Sequence, residues 1–259
     1  MLTNSTIMKK TQLLMISLFL LIGNSTSVFA QNDSTQTKNP ISISADLMSR
    51  YIWRGTDYGA APSIQPGIEY SKAGFAIGAW GAYVINFQGY QESDLYIGYT
   101  FYKSMFTVMV TDYYFQSDLS NVNYFDYNSK TTGHVFEAAL TFNGTEKLPL
   151  SLMIATNIYG ADAKKINNDG TQGDNQFSTY AELTYSFKHF DVFAGANLTA
   201  PDRDKGETGY YGNYMGFVNI GLSTVKNIKI TEHYSLPLTL SVITNPQAEK
   251  IYFVAGFSF

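Results

Sequence analysis

Polar and apolar residues alternate along most of this chain. The clearest stretch is Ile41–Gly55, ISISADLMSRYIWRG. Ile41, Ile43, Ala45, Leu47, Ser49, Tyr51 and Trp53 share one face of an extended strand; Ser42, Ser44, Asp46, Met48, Arg50, Ile52 and Arg54 share the other. Successive strand side chains point to opposite faces, so a period of two gives one apolar face and one charged face. The run exceeds the usual strand of about 5–6 residues and suits a tilted strand crossing a bilayer, which needs about 9–11.

The same period predicts further strands over Ser63–Ser71, Phe75–Asn86, Ser93–Tyr102, Met105–Phe115, His134–Phe142, Leu148–Tyr159, Phe177–Phe187, Phe190–Thr199, Tyr214–Ser223, Leu236–Thr244 and Ile251–Phe259. Pro66 removes one ladder donor and predicts weakened pairing there. Met105–Phe115 is apolar on both faces. Asp112 falls on the face of Phe106, Val108 and Val110, so a bulge or an early end of the apolar zone is expected.

Connections alternate in length. Ser71–Gly74, Tyr102–Ser104, Asn143–Lys147 and Lys188–His189 are tight; Thr56–Pro62, Phe87–Glu92, Gln116–Thr132, Gly160–Gln176 and Ala200–Asn213 are longer and rich in Asn, Asp, Gly and Tyr. Thr224–Ser235 breaks the rule, being too long for a tight turn, and reads as a strand extension. Short turns at one end and long loops at the other are the habit of outer-membrane barrels. The expected fold is therefore all-β: a single antiparallel transmembrane β-barrel of about twelve strands.

Alternation alone does not say which face is inside, because a soluble barrel or sandwich would turn its apolar face inward. The two ends favour the membrane arrangement. Lys9 and Lys10, the apolar run Leu13–Gly23 and Val28-Phe29-Ala30 read as a secretory signal over residues 1–30. Gln31–Pro40 reads as a polar, flexible leader and 41–259 as the barrel. The last strand puts Ile251, Phe253, Ala255, Phe257 and Phe259 on one face and ends on an aromatic residue. Such a terminus resembles the signal by which barrel-assembly machinery recognises its clients, which makes that machinery and outer-membrane lipid the expected partners. Tyr51, Trp53, Tyr70, Phe101, Tyr102, Phe142, Phe187 and Phe190 fit interfacial girdles.

Composition changes this picture little. The chain has 259 residues, 45% of them hydrophobic and 15% aromatic. Its mean hydropathy of −0.11 is compatible with a membrane barrel, half of whose strand residues face a polar lumen. There is no cysteine, so no disulfide framework. Without Lys9 and Lys10, 17 − 2 = 15 basic residues face 21 acidic ones, a net charge of −6. That balance argues against nucleic acid as a partner.

With the apolar face toward lipid, the lumen receives Asp46, Arg50, Arg54, Glu69, Asp94, Glu137, Glu182 and Asp191. Two roles are open to them. Arg50 and Arg54, clamped by Glu69, Asp94, Glu137 or Glu182, would hold the wall in register. The same charges would also form a constriction that filters solutes by charge. Signals for catalysis are poor: His134, His189 and His233 have no G-x-S-x-G elbow or partner spacing beside them, although His134 sits at the outer end of its strand, where a lipid-active barrel enzyme would need it. Neither a zinc motif nor an EF-hand fits; Lys165 stands where a calcium loop would begin with an acid. No cofactor is expected.

Ser49-Arg50-Tyr51-Ile52-Trp53-Arg54-Gly55, Gln65-Pro66-Gly67 and Gly74-Phe75-Ala76-Ile77-Gly78-Ala79-Trp80 resemble the opening third of the TorF-like family of bacterial outer-membrane barrels. That family has been called porins, and it has no agreed catalytic residues. The resemblance implies a Gram-negative outer-membrane location. The expected function is passive passage of small hydrophilic solutes. The alternatives are a non-conducting surface barrel that works as an adhesin or scaffold through its loops, and a lipid-active enzyme.

Overall fold

The computed structural model describes residues 39–85, 91–116 and 123–259. The expected signal and most of the expected leader, residues 1–38, lie outside the described residues, as do the tips of two expected loops. The strands are β1 (Ile41–Met48), β2 (Ile52–Trp53), β3 (Thr56–Asp57), β4 (Ser63–Lys72), β5 (Phe75–Val84), β6 (Gln91–Phe101), β7 (Phe106–Gln116), β8 (His134–Phe142), β9 (Leu150–Gly160), β10 (Lys164–Ile166), β11 (Gln172–Asn175), β12 (Thr179–Ser186), β13 (Asp191–Asn197), β14 (Gly216–Lys229), β15 (Ser235–Asn245) and β16 (Lys250–Ser258). Twelve of them close an antiparallel barrel in the order β1-β16-β15-β14-β13-β12-β9-β8-β7-β6-β5-β4. β2–β3 and β10–β11 are separate two-stranded ribbons within the long loops.

The wall keeps the period of two. Ile43, Ile68, Ile97, Leu140, Ile154 and Phe253 point outward and are exposed. Their neighbours Gln65, Asp94, Thr141, Met153 and Ser241 point inward and are buried. The outer wall is thus apolar and the interior polar, the inverse of a soluble barrel. Aromatic rings crowd the short-turn end of the outer wall: Tyr99, Phe101, Phe106 and Phe142 form a chain of ring contacts, and Tyr185, Phe187 and Phe190 form another.

The β4–β5 ladder skips Gln65 and Pro66, as expected where proline cannot donate. β7 pairs without a shift along its length and turns Thr111 and Tyr113 inward, so the bulge expected at Asp112 is not needed. Asp112 points outward and bonds His134 Nδ1 at 2.8 Å. The segment Asn123–Thr132 folds over this pair from outside: Tyr124 and Tyr127 pack on the imidazole, and the Tyr124 carbonyl lies 2.6 Å from Nε2. The irregular Thr224–Ser235 stretch is a strand extension. β14 runs to Lys229 and pairs with β15 as far as Ser235, well past the last β13 partner at Ser223.

The main departure concerns the first strand. β1 stops at Met48 rather than continuing to Gly55. Its pairing with β16 is confined to Asp46–Met48, extended by Ser49 N to Ala255 O at 2.7 Å and Phe259 N to Ala45 O at 2.9 Å. From Ser49 to Pro62 the chain leaves the wall. Tyr51 and Trp53, expected in a lipid-facing girdle, are buried in the barrel core. Their aromatic area finds protein on every side only there, which overrides the strand period.

Candidate functional site in the lumen

The inward segment is a small hairpin. Ile52 pairs with Asp57 and Trp53 with Thr56, and Tyr58 N donates to Tyr51 O at 2.9 Å. Its two tip residues, Arg54 and Gly55, have φ of +49° and +78°. Two successive positive φ values are the signature of a type I′ hairpin turn. Glycine takes this conformation without strain; arginine does not. Gly55 is needed for a second reason. A Cβ there would stand 1.9 Å from the Val218 carbonyl oxygen of β14. The Gly55 carbonyl accepts a bond from Asn245 Nδ2 at 3.1 Å, so the tip reaches across the lumen to β15.

Arg54 lies at the centre of the network. Its guanidinium forms a two-pronged ion pair with Glu137 of β8, the Nη2 to Oε1 bond being 2.9 Å. Nη1 also donates to the Tyr211 hydroxyl at 2.7 Å. Tyr211 is 2.8 Å from Glu137 Oε2 and 3.1 Å from Asn157 Oδ1, and Tyr113 donates to Glu137 Oε1 at 3.1 Å. The guanidinium carbon sits 4.5 Å from the ring centres of Trp53 and of Tyr180, and 5.1 Å from that of Tyr211. Such contacts favour a delocalised, weakly hydrated guanidinium over an ammonium. Next to it, Glu182 accepts from Asn219 Nδ2 at 2.7 Å and from the Tyr180 hydroxyl. Glu137 keeps the lumen parity of β8, and the register shift beside it leaves Ile158 of β9 without a partner, so that Glu137 pairs with Asn157.

The other expected site residues scatter. Arg50 pairs with Asp57 across the base of the hairpin, not with a wall carboxylate. Glu69 accepts from the Tyr96 hydroxyl at 3.0 Å. Asp46 is buried on the lumen face, in register with Gln65 and Ser258. Asp94 lies beside Glu92, which sequence reading had assigned to a loop. Asp191 is half-buried at the short-turn end of β13. So one of the two arginines meets one of the expected carboxylates. The partners missed were Tyr113, Tyr180, Tyr211, Asn157 and Asn219. Tyr113, Tyr180, Asn157 and Asn219 carry the lumen parity of their strands, whereas Tyr211 belongs to the long loop between β13 and β14, where the tyrosine pair Tyr210-Tyr211 is the local signal.

His134 is buried on the outer wall with both ring nitrogens engaged, by Asp112 and by the Tyr124 carbonyl, so neither is free to activate a nucleophile. Among the described residues no group of three or more His, Cys, Asp or Glu side chains is arranged to hold a metal. Below the hairpin the lumen is lined with hydroxyls, including Thr107, Thr111, Thr141, Ser223, Thr239 and Ser241. No basic side chain other than Arg54 is fully buried there among the described residues, whereas Asp46, Glu92, Asp94, Glu137 and Glu182 are.

Among solved structures, the chain is similar to the KdgM porin, with 11% identity over 84% of this chain and 97% of that one and a TM-score of 0.43. It is also similar to the outer membrane protein OprD of Pseudomonas aeruginosa, with 10% identity over 87% of this chain and 65% of that one and a TM-score of 0.32. No curated protein sequence matches. A family model matches residues 32–235, far beyond the first third that carries the TorF-like resemblance, and its description bears no such name. The chain belongs to this family, described as bacterial protein of unknown function (Gcw_chp).

Proposed function

We propose that this protein is an outer-membrane channel for small hydrophilic solutes, with a preference for cations, narrowed at its long-loop end by the inward hairpin Ser49–Pro62. The observation that carries this reading is the charge of the lumen. Among the described residues carboxylates outnumber cations on the inner wall, and the buried Arg54 is already paired with Glu137. An excess of carboxylates along a passage raises the local concentration of cations and excludes anions. A wall of twelve strands encloses more space than the eight that side chains can fill. Hydroxyls along the lower lumen suit hydrated solutes without holding them tightly.

Both described termini, Asn39 and Phe259, lie at the short-turn end, where β1 begins and β16 ends. This fits turns in the periplasm and loops outside. Arg54 and Glu137 then form the narrowest level, and Arg50 and Asp57 brace the hairpin base. The aromatic packing around Trp53 favours a second reading, in which the hairpin is a permanent plug and the loops carry the function.

The test is the reversal potential of the mature chain, from Gln31, in a planar bilayer under a potassium chloride gradient. A cation-selective potential is expected, and Glu137→Gln together with Glu182→Gln should move it toward zero. Anion selectivity, or silence from folded and inserted protein, would sink the channel reading.

A further inference from the structure

Glu92 and Asp94 stand two residues apart on β6, on its lumen face, 1% and 2% exposed. The polar groups beside them include each other's carboxyls, the Tyr51 hydroxyl of the inward hairpin and the Tyr114 backbone amide, and Asp112 adds further negative charge near Asp94. Yet none of the four carboxyl oxygens accepts a well-aligned hydrogen bond. No arginine or lysine is among the groups acting on them, and Arg54 is engaged by Glu137. Two buried carboxylates side by side, with a phenol and one amide nearby but no cation, are costly, and native structures do not leave such charges uncompensated.

We propose that Glu92 and Asp94 hold a hard divalent cation, Ca²⁺ or Mg²⁺, inside the barrel wall. Every ligand atom on offer is oxygen, from the two carboxylates and the Tyr51 hydroxyl, which selects a hard ion over zinc or copper. Tyr51 comes from the hairpin and the carboxylates from the wall, so the bound ion would fasten the hairpin to β6 on the side away from Arg54. The site is independent of whether the barrel conducts.

Terbium(III), which takes oxygen-rich calcium sites, is the probe. Trp80 is the cross-strand partner of Asp94, so its excitation should sensitise terbium emission. The chain from Gln31 is refolded in detergent with terbium, and folding is checked by heat-modifiable migration. The expected result is saturable emission, displaced by Ca²⁺ and dimmed several-fold in Trp80→Phe. In Glu92→Gln/Asp94→Asn, binding should weaken by at least about tenfold. That double variant removes buried charge and should fold. If it does not, the thermal midpoint of the wild-type protein in Ca²⁺ against chelator decides, with a rise in Ca²⁺ expected. Dark terbium in folded protein with a midpoint indifferent to chelation would overturn the proposal and leave a carboxyl pair sharing one proton. Emission unchanged in a folded double variant would overturn it too, placing the ion in the surface loops.

Discussion

Arg54 shows how much one side chain can hold in this lumen. It is buried, two-pronged on Glu137, bonded to Tyr211 and packed against Trp53 and Tyr180. Removing one partner of a buried ion pair leaves an uncompensated charge, at a cost of roughly 3–5 kcal/mol. Arg54→Ala should therefore lower the urea midpoint of the detergent-folded barrel markedly. Arg54→Lys should recover only part of the loss, because an ammonium cannot make the two-pronged contact. Equal midpoints for Arg54→Ala and wild type would mean that the pair is screened by water. Period two points Arg54 to the lumen and Trp53 to lipid, yet both lie inside, because the hairpin and not the wall strand carries them there. The partner of Arg54 was narrowed to four carboxylates and no further, because strand parity fixes the face of a residue but not the height at which facing strands meet.

At the scale of elements, the inward hairpin is where sequence and structure part. Residues Ser49 to Gly55 continue the alternation of β1 without a break, so no polarity signal marks the departure at Met48. What marks it is turn chemistry: Arg54-Gly55 sits between aromatic residues, and Gly55 supplies the positive φ that a two-residue turn requires. Gly55→Ala should strain the turn and drive a Cβ into the Val218 carbonyl, which stands 1.9 Å away. The barrel should still close, since the wall strands are untouched, while Trp53 loses its aromatic box. A red shift of tryptophan emission with preserved heat-modifiable migration is expected; an unshifted spectrum would mean that β14 gives way instead.

The Asn123–Thr132 segment offers a second test at this scale. His134 Nε2 faces the Tyr124 carbonyl and Nδ1 the Asp112 carboxyl, so the ring ties the segment to the wall through both nitrogens. His134→Phe keeps the ring stacking and loses both bonds. Proteolysis within Asn123–Thr132 should then accelerate several-fold relative to wild type. Unchanged cleavage would show that the tyrosine contacts alone hold the segment.

The whole molecule was the most legible level. Strand count, closure and the sorting of apolar residues to the outer wall follow from a period that repeats across the chain, and repetition makes such a signal robust to local error. The fill of the barrel was hidden, because it depends on loop residues such as Tyr211 meeting a hairpin more than 150 positions earlier in the chain. On the proposed channel reading, Ser49–Pro62 sets the width of a cation-preferring passage. Single-channel conductance tests it directly, comparing the mature chain with a variant in which residues 50–61 are replaced by a short Gly-Ser linker. Small steps in the first and several-fold larger, still cation-selective steps in the second are predicted. Equal conductance in the two, with both proteins folded, would contradict the account.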